Sequence, residues 1–273
     1  MFSIVICTRK RSDQLLVTLS LALRLLPLEI VVVVNDCKDT MNALSNSLSK
    51  KIKVIENDEN IGAGRAKHLG ILNAKSNRIL VLDDDAEILE QSDIKHCLKL
   101  LEDYALVQGL IVANKKLERR SYEQPFLFRK NRIGIHEIGY FVGACHFINR
   151  EKFLRAGGYE NAALYGFEEL ELSLNLLLNN ERLIFTDKFV VHHKKNAKGR
   201  MPDEVLKIRM LEERVRIASE YYPIFFAFIS SLIWNFRTFG RVKFKYLPSF
   251  HLKNRIKIWH FLTNRFFWIR ALF

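Results

Sequence analysis

Asp83, Asp84 and Asp85 stand in a row directly after the apolar run Arg78 to Leu82. A carboxylate held near a core without a partner is costly. Three in succession at the end of a buried strand therefore require something positive to meet them. A hard divalent cation does so, because Mg²⁺ or Mn²⁺ takes carboxylate and phosphate oxygens together. Asp83 and Asp85, one residue apart, can then share an ion with a diphosphate. The plain alternative is a capped turn feeding a helix near Glu90. Glu168, Glu169 and Glu171 lie within one stretch of helical spacing, either as the solvated face of a helix or as the source of a general base. His192 and His193 close a strand-like run, and a neutral imidazole is a good ligand for Mn²⁺ and a usable one for Mg²⁺. Strand side chains alternate, so one of the two should face a site and the other should be structural. Lys194, Lys195 and Arg200 follow, as a loop that closes over a diphosphate or as a solvated basic one.

These residues need elements to hold them. Short apolar runs at Phe2 to Cys7, Leu28 to Val34, Ile52 to Ile55 and Arg78 to Leu82 predict strands, and amphipathic stretches at Asp13 to Leu25, Asp39 to Leu48 and Ala63 to Ala74 predict helices between them. A continuous run such as Ile30 to Val34 suits a strand buried on both faces, so the expected fold class is α/β, a mainly parallel sheet flanked by helices. In such sheets the ligand lies beyond the carboxyl ends of the strands. That rule selects Thr8 to Arg11, Asn35 to Asp39 and Asp83 to Asp85. Further on, the sequence predicts an exposed, basic and polar loop over Asn114 to Arg132 and a strand over His146 to Asn149. A turn at Gly157-Gly158, a helix over Glu168 to Leu178 and a strand over Leu183 to Val191 come next. A linker or lid follows over Lys194 to Pro202, and then a helix over Asp203 to Glu220 with Asp203 as its cap.

The order of motifs is Cys7-Thr8-Arg9-Lys10-Arg11, Asn35-Asp36-Cys37-Lys38-Asp39-Thr40, Asn60-Ile61-Gly62-Ala63-Gly64-Arg65-Ala66 and Leu82-Asp83-Asp84-Asp85. Gly157-Gly158-Tyr159 and Gly166-Phe167-Glu168-Glu169-Leu170-Glu171-Leu172 follow. Over residues 2 to about 200 the chain resembles the large family-two glycosyltransferases of the GT-A fold. That resemblance implies an inverting enzyme with a nucleotide-sugar donor, a UDP-sugar before a dTDP- or GDP-sugar, and Mn²⁺ or Mg²⁺ as cofactor. The implied donor contacts are Thr8, Arg11, Asp36, Gly62, Arg65, Asp83 and Asp84, with Asp36 accepting from the base or ribose. The implied metal ligands are Asp83 and Asp85, with His192 and His193 as candidate imidazoles, and the implied general base is Glu169. The chain departs from the family in Cys37-Lys38, where Asp-Gly-Ser or a close variant is usual, and in Glu168-Glu169, where Glu-Asp is more frequent.

The formal net charge of +13 points to an anionic partner. From Tyr221 to Phe273 there are nine Lys and Arg, no Asp or Glu, and 17 aromatic residues. Cations interleaved with aromatic rings describe a surface at an anionic membrane interface. In the second half of this segment, Lys253, Lys257, His260 and Asn264 fall on one helical side, and Ile258, Leu262, Phe266, Ile269 and Phe273 on another. The alternative is packing of the aromatics on the rest of the protein. The expected organisation is a catalytic domain over 1–200 and a helical, basic extension over 201–273, with peripheral attachment at the cytoplasmic face of a membrane and a saccharide or lipid-linked saccharide as acceptor. Four scattered cysteines and the absence of a signal-like N-terminus fit that compartment. A nucleic-acid-binding protein, a nucleotidyltransferase and a catalytically silent relative serving as a membrane scaffold are the rival readings. The first leaves the aspartates and the Glu168 to Glu171 cluster unexplained, so no nucleic acid is expected.

Overall fold

Runs of β-branched residues without polar alternation form strands covered on both sides. In a computed structural model that describes residues 1–45, 49–114, 116–126, 132–160, 162–164, 166–195 and 203–237, the covered strands β1 (Ser3–Thr8) and β2 (Glu29–Asn35), the part-exposed edge strand β3 (Ile52–Asn57) and the covered strand β4 (Arg78–Asp83) pair in parallel in the order β3-β2-β1-β4. The helices α1 (Ser12–Arg24), α2 (Lys38–Ser45) and α3 (Ala63–Leu72) make the crossovers. Alternation along β1 and β2 separates two cores. Ile4, Ile6, Val32 and Val34 pack with Leu15, Leu19 and Ala22 of α1, while Val5, Val31 and Val33 pack with Ala66 and Ile71 of α3.

Beyond β4 the sheet becomes mixed. The remaining strands are β5 (Ala86–Ile88), β6 (Leu106–Val112), β7 (Ile135–Ile138), β8 (Cys145–Asn149) and β9 (Leu183–His193), giving the order β3-β2-β1-β4-β8-β6-β9-β5 with β7 on β9. β8 runs antiparallel to β4 and β6, whereas β6 and β9 are parallel. The long β9 ends antiparallel to β5, with Ala86 opposite His193. This pairing brings the end of β9 beside the turn that carries the aspartates, and the Lys194 N–H donates to the Asp85 carbonyl at 2.9 Å. Helices α4 (Ile94–Leu100), α5 (Arg150–Arg155) and α6 (Glu168–Leu178) complete this half.

Two further helices, α7 (Asp203–Tyr221) and α8 (Ile224–Arg237), pack as a pair against α6 through Leu170, Leu174, Ile217, Ala218, Tyr222 and Ala227. The segment read as an exposed loop over 114 to 132 is corrected in part, because Glu123, Gln124 and Phe126 are buried. The end of the second predicted helix at Leu48, the lid from 196 to 202 with Arg200, the Asp203 side chain read as a cap and the amphipathic pattern between Lys253 and Phe273 lie outside what is described. Among the described residues, no helix is long and apolar enough to cross a membrane.

Candidate active site

Parallel strands deliver their carboxyl ends to one edge of the sheet, and there the three aspartates diverge. Asp83, the last residue of β4, is partly exposed and meets the Nζ of Lys67 at 2.9 Å. Asp84 turns into the protein, where it accepts from the Thr8 hydroxyl and from Arg11 Nη1, each at 2.7 Å, while its carbonyl accepts from Thr18. Burial pushes its carboxyl up to about 6, against the pull of Arg11. Asp85 is buried, with Arg11 Nη1 at 3.2 Å from Oδ2 and His193 Nε2 at 3.0 Å from Oδ1.

His193 is held from its far side. Its Nδ1 lies 2.9 Å from Glu123 Oε1, so the Nδ1–H donates to that carboxylate and Nε2 points at the aspartates. Glu123 is also met by Arg120 and Lys195, and Arg120 donates to the His193 carbonyl. Burial would lower the imidazole pKa, but the hydrogen bonds with Asp85 and Glu123 outweigh it and push it up to about 9. Glu123 is shifted the opposite way: burial would raise it, and the His193 hydrogen bond and neighbouring cations hold it below the usual carboxylate range. The preceding residue, His192, points elsewhere, with Nε2 on the Ala113 carbonyl at 3.0 Å. Of the candidate imidazoles, only His193 joins the aspartates.

Ligand atoms of Asp83, Asp85 and His193 lie within 4.8 Å of one another. Ligands on an octahedral ion with bonds of 2.0–2.1 Å sit about 3 Å apart when adjacent and about 4 Å when opposite. The 3.0 Å between Asp85 Oδ1 and His193 Nε2 matches the adjacent spacing. Two carboxylates, one imidazole and a carboxylate behind the imidazole form a donor set suited to Mn²⁺ or Mg²⁺.

The other residues selected from the sequence gather around this edge in different states. Asp36 follows β2 at φ 47°, is about half exposed, and pairs with Arg9 at 3.0 Å. Gly62 precedes α3 at φ 86°, and a Cβ there would lie 2.6 Å from the Leu164 carbonyl oxygen. Arg65 stands exposed on α3. Thr8, Arg11 and Asp84, read as donor contacts, bind one another here and tie the loop after β1 to the aspartate turn.

Glu169 lies in the first turn of α6, which starts after Gly166 and Phe167, both at positive φ. Burial, then the charge of Glu168, pushes its carboxyl up to about 8, with Lys67 pulling the other way. Its carboxylate packs directly on Gly143, where any Cβ would collide with it.

Lys67 and Glu123 escaped the sequence reading. Lys67 left a signal: it lies on the same helical stripe as Gly64 and Ile71, and a lone lysine on a buried stripe needs a partner. Burial opposes its charge, but Asp83 outweighs that and holds its pKa well above the ordinary value. Glu123 left none, because it ends a single 3-10 turn (Ser121–Glu123) that only the tertiary fold brings against His193.

Residues 3–156 match the model of glycosyl transferase family 2. The chain belongs to that family. The match covers the aspartate turn and ends before Glu169 and His193. An uncharacterised glycosyltransferase of Haemophilus influenzae is 26% identical over 159 residues, 54% of this chain and 51% of the relative. A structure of GalNAc-T7 with UDP, GalNAc and Mn²⁺ superposes with a TM-score of 0.67 at 18% identity, over 86% of this chain and 51% of that one. The mannosyltransferase PcManGT of Pyrobaculum calidifontis, with GDP-Man and Mn²⁺, superposes at 0.56 and 15% identity, over 85% of this chain and 64% of that one. Both likenesses place the family-2 chain on the GT-A fold. The chain spans about half the length of the curated relative it matches.

Proposed function

We propose that this family-2 chain transfers a sugar from a nucleoside-diphosphate sugar, UDP-linked by preference, to a hydroxyl of a saccharide or lipid-linked saccharide, with inversion at the anomeric carbon. The observation that carries the reading is the convergence of Asp83, Asp85 and His193 at the strand ends. Mn²⁺ or Mg²⁺, when bound by these residues, stabilises the negative charge that gathers on the departing diphosphate. Lys67 and Glu123 hold two of the three ligands in place, Lys67 by its ion pair to Asp83 and Glu123 by its hydrogen bond to His193. Asp36 and Arg65 orient the nucleotide, and Arg11, Thr8 and Asp84 brace the loop beneath it. Glu169 receives the proton of the acceptor hydroxyl as that oxygen bonds to the anomeric carbon and the carbon–oxygen bond to the diphosphate breaks. A carboxyl with its pKa near 8 is a stronger base than an ordinary one.

UDP preference is supported by the sequence resemblance and by the UDP and Mn²⁺ present with GalNAc-T7. The GDP-Man present with PcManGT makes GDP the competing nucleotide. A basic, aromatic extension over 201–273 supports a peripheral location at a cytoplasmic membrane face and an acceptor destined for a surface glycan.

Thermal stabilisation by UDP, dTDP, GDP, CDP and ADP, each with and without Mn²⁺ or Mg²⁺, tests the reading, because a ligand that binds the folded state raises its stability. A metal-dependent shift with UDP is expected. No shift with any nucleotide overturns it.

A further inference from the structure

Helix α8 presents an apolar face to solvent beside the packet that holds Glu169. Ile224, Phe225, Phe228 and Leu232 are 47%, 63%, 54% and 47% exposed. At about 100° per residue these four fall within roughly a quarter to a third of the helix circumference, so they form one stripe. Ala227 and Ser230 are buried on the other side, and Phe226 packs against the cluster that α8 shares with α6 and α7. An exposed row of large apolar side chains on one helix is an interaction surface.

We infer that this stripe docks on an anionic phospholipid surface, and that docking presents Glu169 to an acceptor saccharide carried on a membrane lipid. The choice of lipid rests on charge and length. Between Tyr221 and Phe273 the chain has nine Lys and Arg and no acidic residue, which complements an anionic surface and repels the same segment of a second copy. The 14 described residues of helix α8 reach about 21 Å at 1.5 Å per residue, and their exposed apolar residues lie along one side, the arrangement of a helix lying in an interface.

The acceptor follows from what α8 touches. Ala227 and Phe226 of α8 join Leu170 and Leu174 of α6 in one cluster, and Phe167, two residues before Glu169, packs on that cluster. Helix α8 and the first turn of α6 therefore share one small hydrophobic packet. A membrane under α8 lies near the first turn of α6, where the acceptor hydroxyl must arrive. This acceptor assignment rests on the transferase reading, whereas the docking does not.

The test uses the full chain and the variant F225S/F228S, with F228A as a milder second variant. Neither Phe225 nor Phe228 belongs to the site, so melting temperature and the shift caused by UDP with Mn²⁺ should stay as in the wild type. Co-sedimentation is measured with vesicles of phosphatidylcholine alone and of phosphatidylcholine with phosphatidylglycerol. The wild type should bind the anionic vesicles and be released by salt, and F225S/F228S should bind at least tenfold more weakly, with F228A between. Transfer to a vesicle-borne lipid-linked acceptor should fall in parallel, while donor hydrolysis without vesicles stays unchanged. Equal vesicle binding by wild type and variant, or none by either, overturns the docking. A concentration-dependent dimer that F225S/F228S dissolves overturns it in favour of a second copy on the stripe. Vesicle binding without any nucleotide shift sinks the transferase reading and the acceptor assignment while the docking stands.

Discussion

Glu169 is a carboxyl driven away from its ordinary acidity by burial and by Glu168, with Lys67 as the opposing charge. Only the ionised form takes a proton, so turnover should rise with pH through an apparent pKa near 8. The same group affects stability in the opposite sense. The neutral form suits the folded protein, so its contribution is complete below the ordinary carboxyl range and is lost as pH rises towards 8. Glu169→Gln should remove both dependences, keep the metal-dependent nucleotide shift and lower turnover roughly a thousandfold; near-normal turnover would exclude the residue as base. On the metal side, Asp85→Ala and His193→Ala should each weaken Mn²⁺-dependent nucleotide binding, read as the loss of most of the thermal shift. His192→Ala should leave it intact, since that ring is engaged with the Ala113 carbonyl. Equal losses at 192 and 193 would contradict the assignment of the imidazole.

Strand ends and helix starts decide where these groups stand. The aspartate turn is braced from three elements: Thr8 at the end of β1, Thr18 on α1 and Lys67 on α3. The first turn of α6 is braced by Gly143, whose missing Cβ leaves room for the Glu169 carboxylate. Gly143→Ala would therefore push a flexible side chain instead of the backbone. The expected result is a melting temperature close to the wild type with kcat lower by about a hundredfold, because a small displacement of a reacting group is costly. A large loss of stability with normal specific activity in the folded fraction would place the constraint in the backbone instead.

Across the whole molecule, α7 and α8 belong to the packing of α6. Arg216 of α7 makes two hydrogen bonds to Glu171 of α6, at 2.8 and 3.2 Å, and also meets Glu213 and Glu220, while the Tyr221 hydroxyl donates to Glu171 at 3.1 Å. Glu171 is buried, so removing its partner strands a charge in the interior. Arg216→Met should lower unfolding stability by about 3 kcal/mol in urea titrations. Arg216→Met with Glu171→Leu should recover much of that loss, since an apolar pair of similar volume needs no partner. A single variant as stable as the wild type would show that the α6–α7 contact rests on its apolar residues alone.

What the amino-acid sequence determined by itself is the local and periodic part. The apolar runs of β1, β2 and β4 and the helical spacing of α1, α3 and α6 are short-range patterns, legible because burial imposes a period of two or 3.6 on neighbours in the chain. Three aspartates after an apolar run, and the motif order around them, pointed to the same edge of the sheet. Tertiary structure alone decided which groups meet there. It put Glu123 behind His193 across 70 residues, chose His193 over His192 through the pairing of β9 with β5, and turned Asp84 inward onto Arg11. It also set Lys67 under Asp83. These are contacts between side chains far apart in sequence, and those of His193 depend on the mixed pairing of β5, β6, β8 and β9, strands that are distant from one another in the chain.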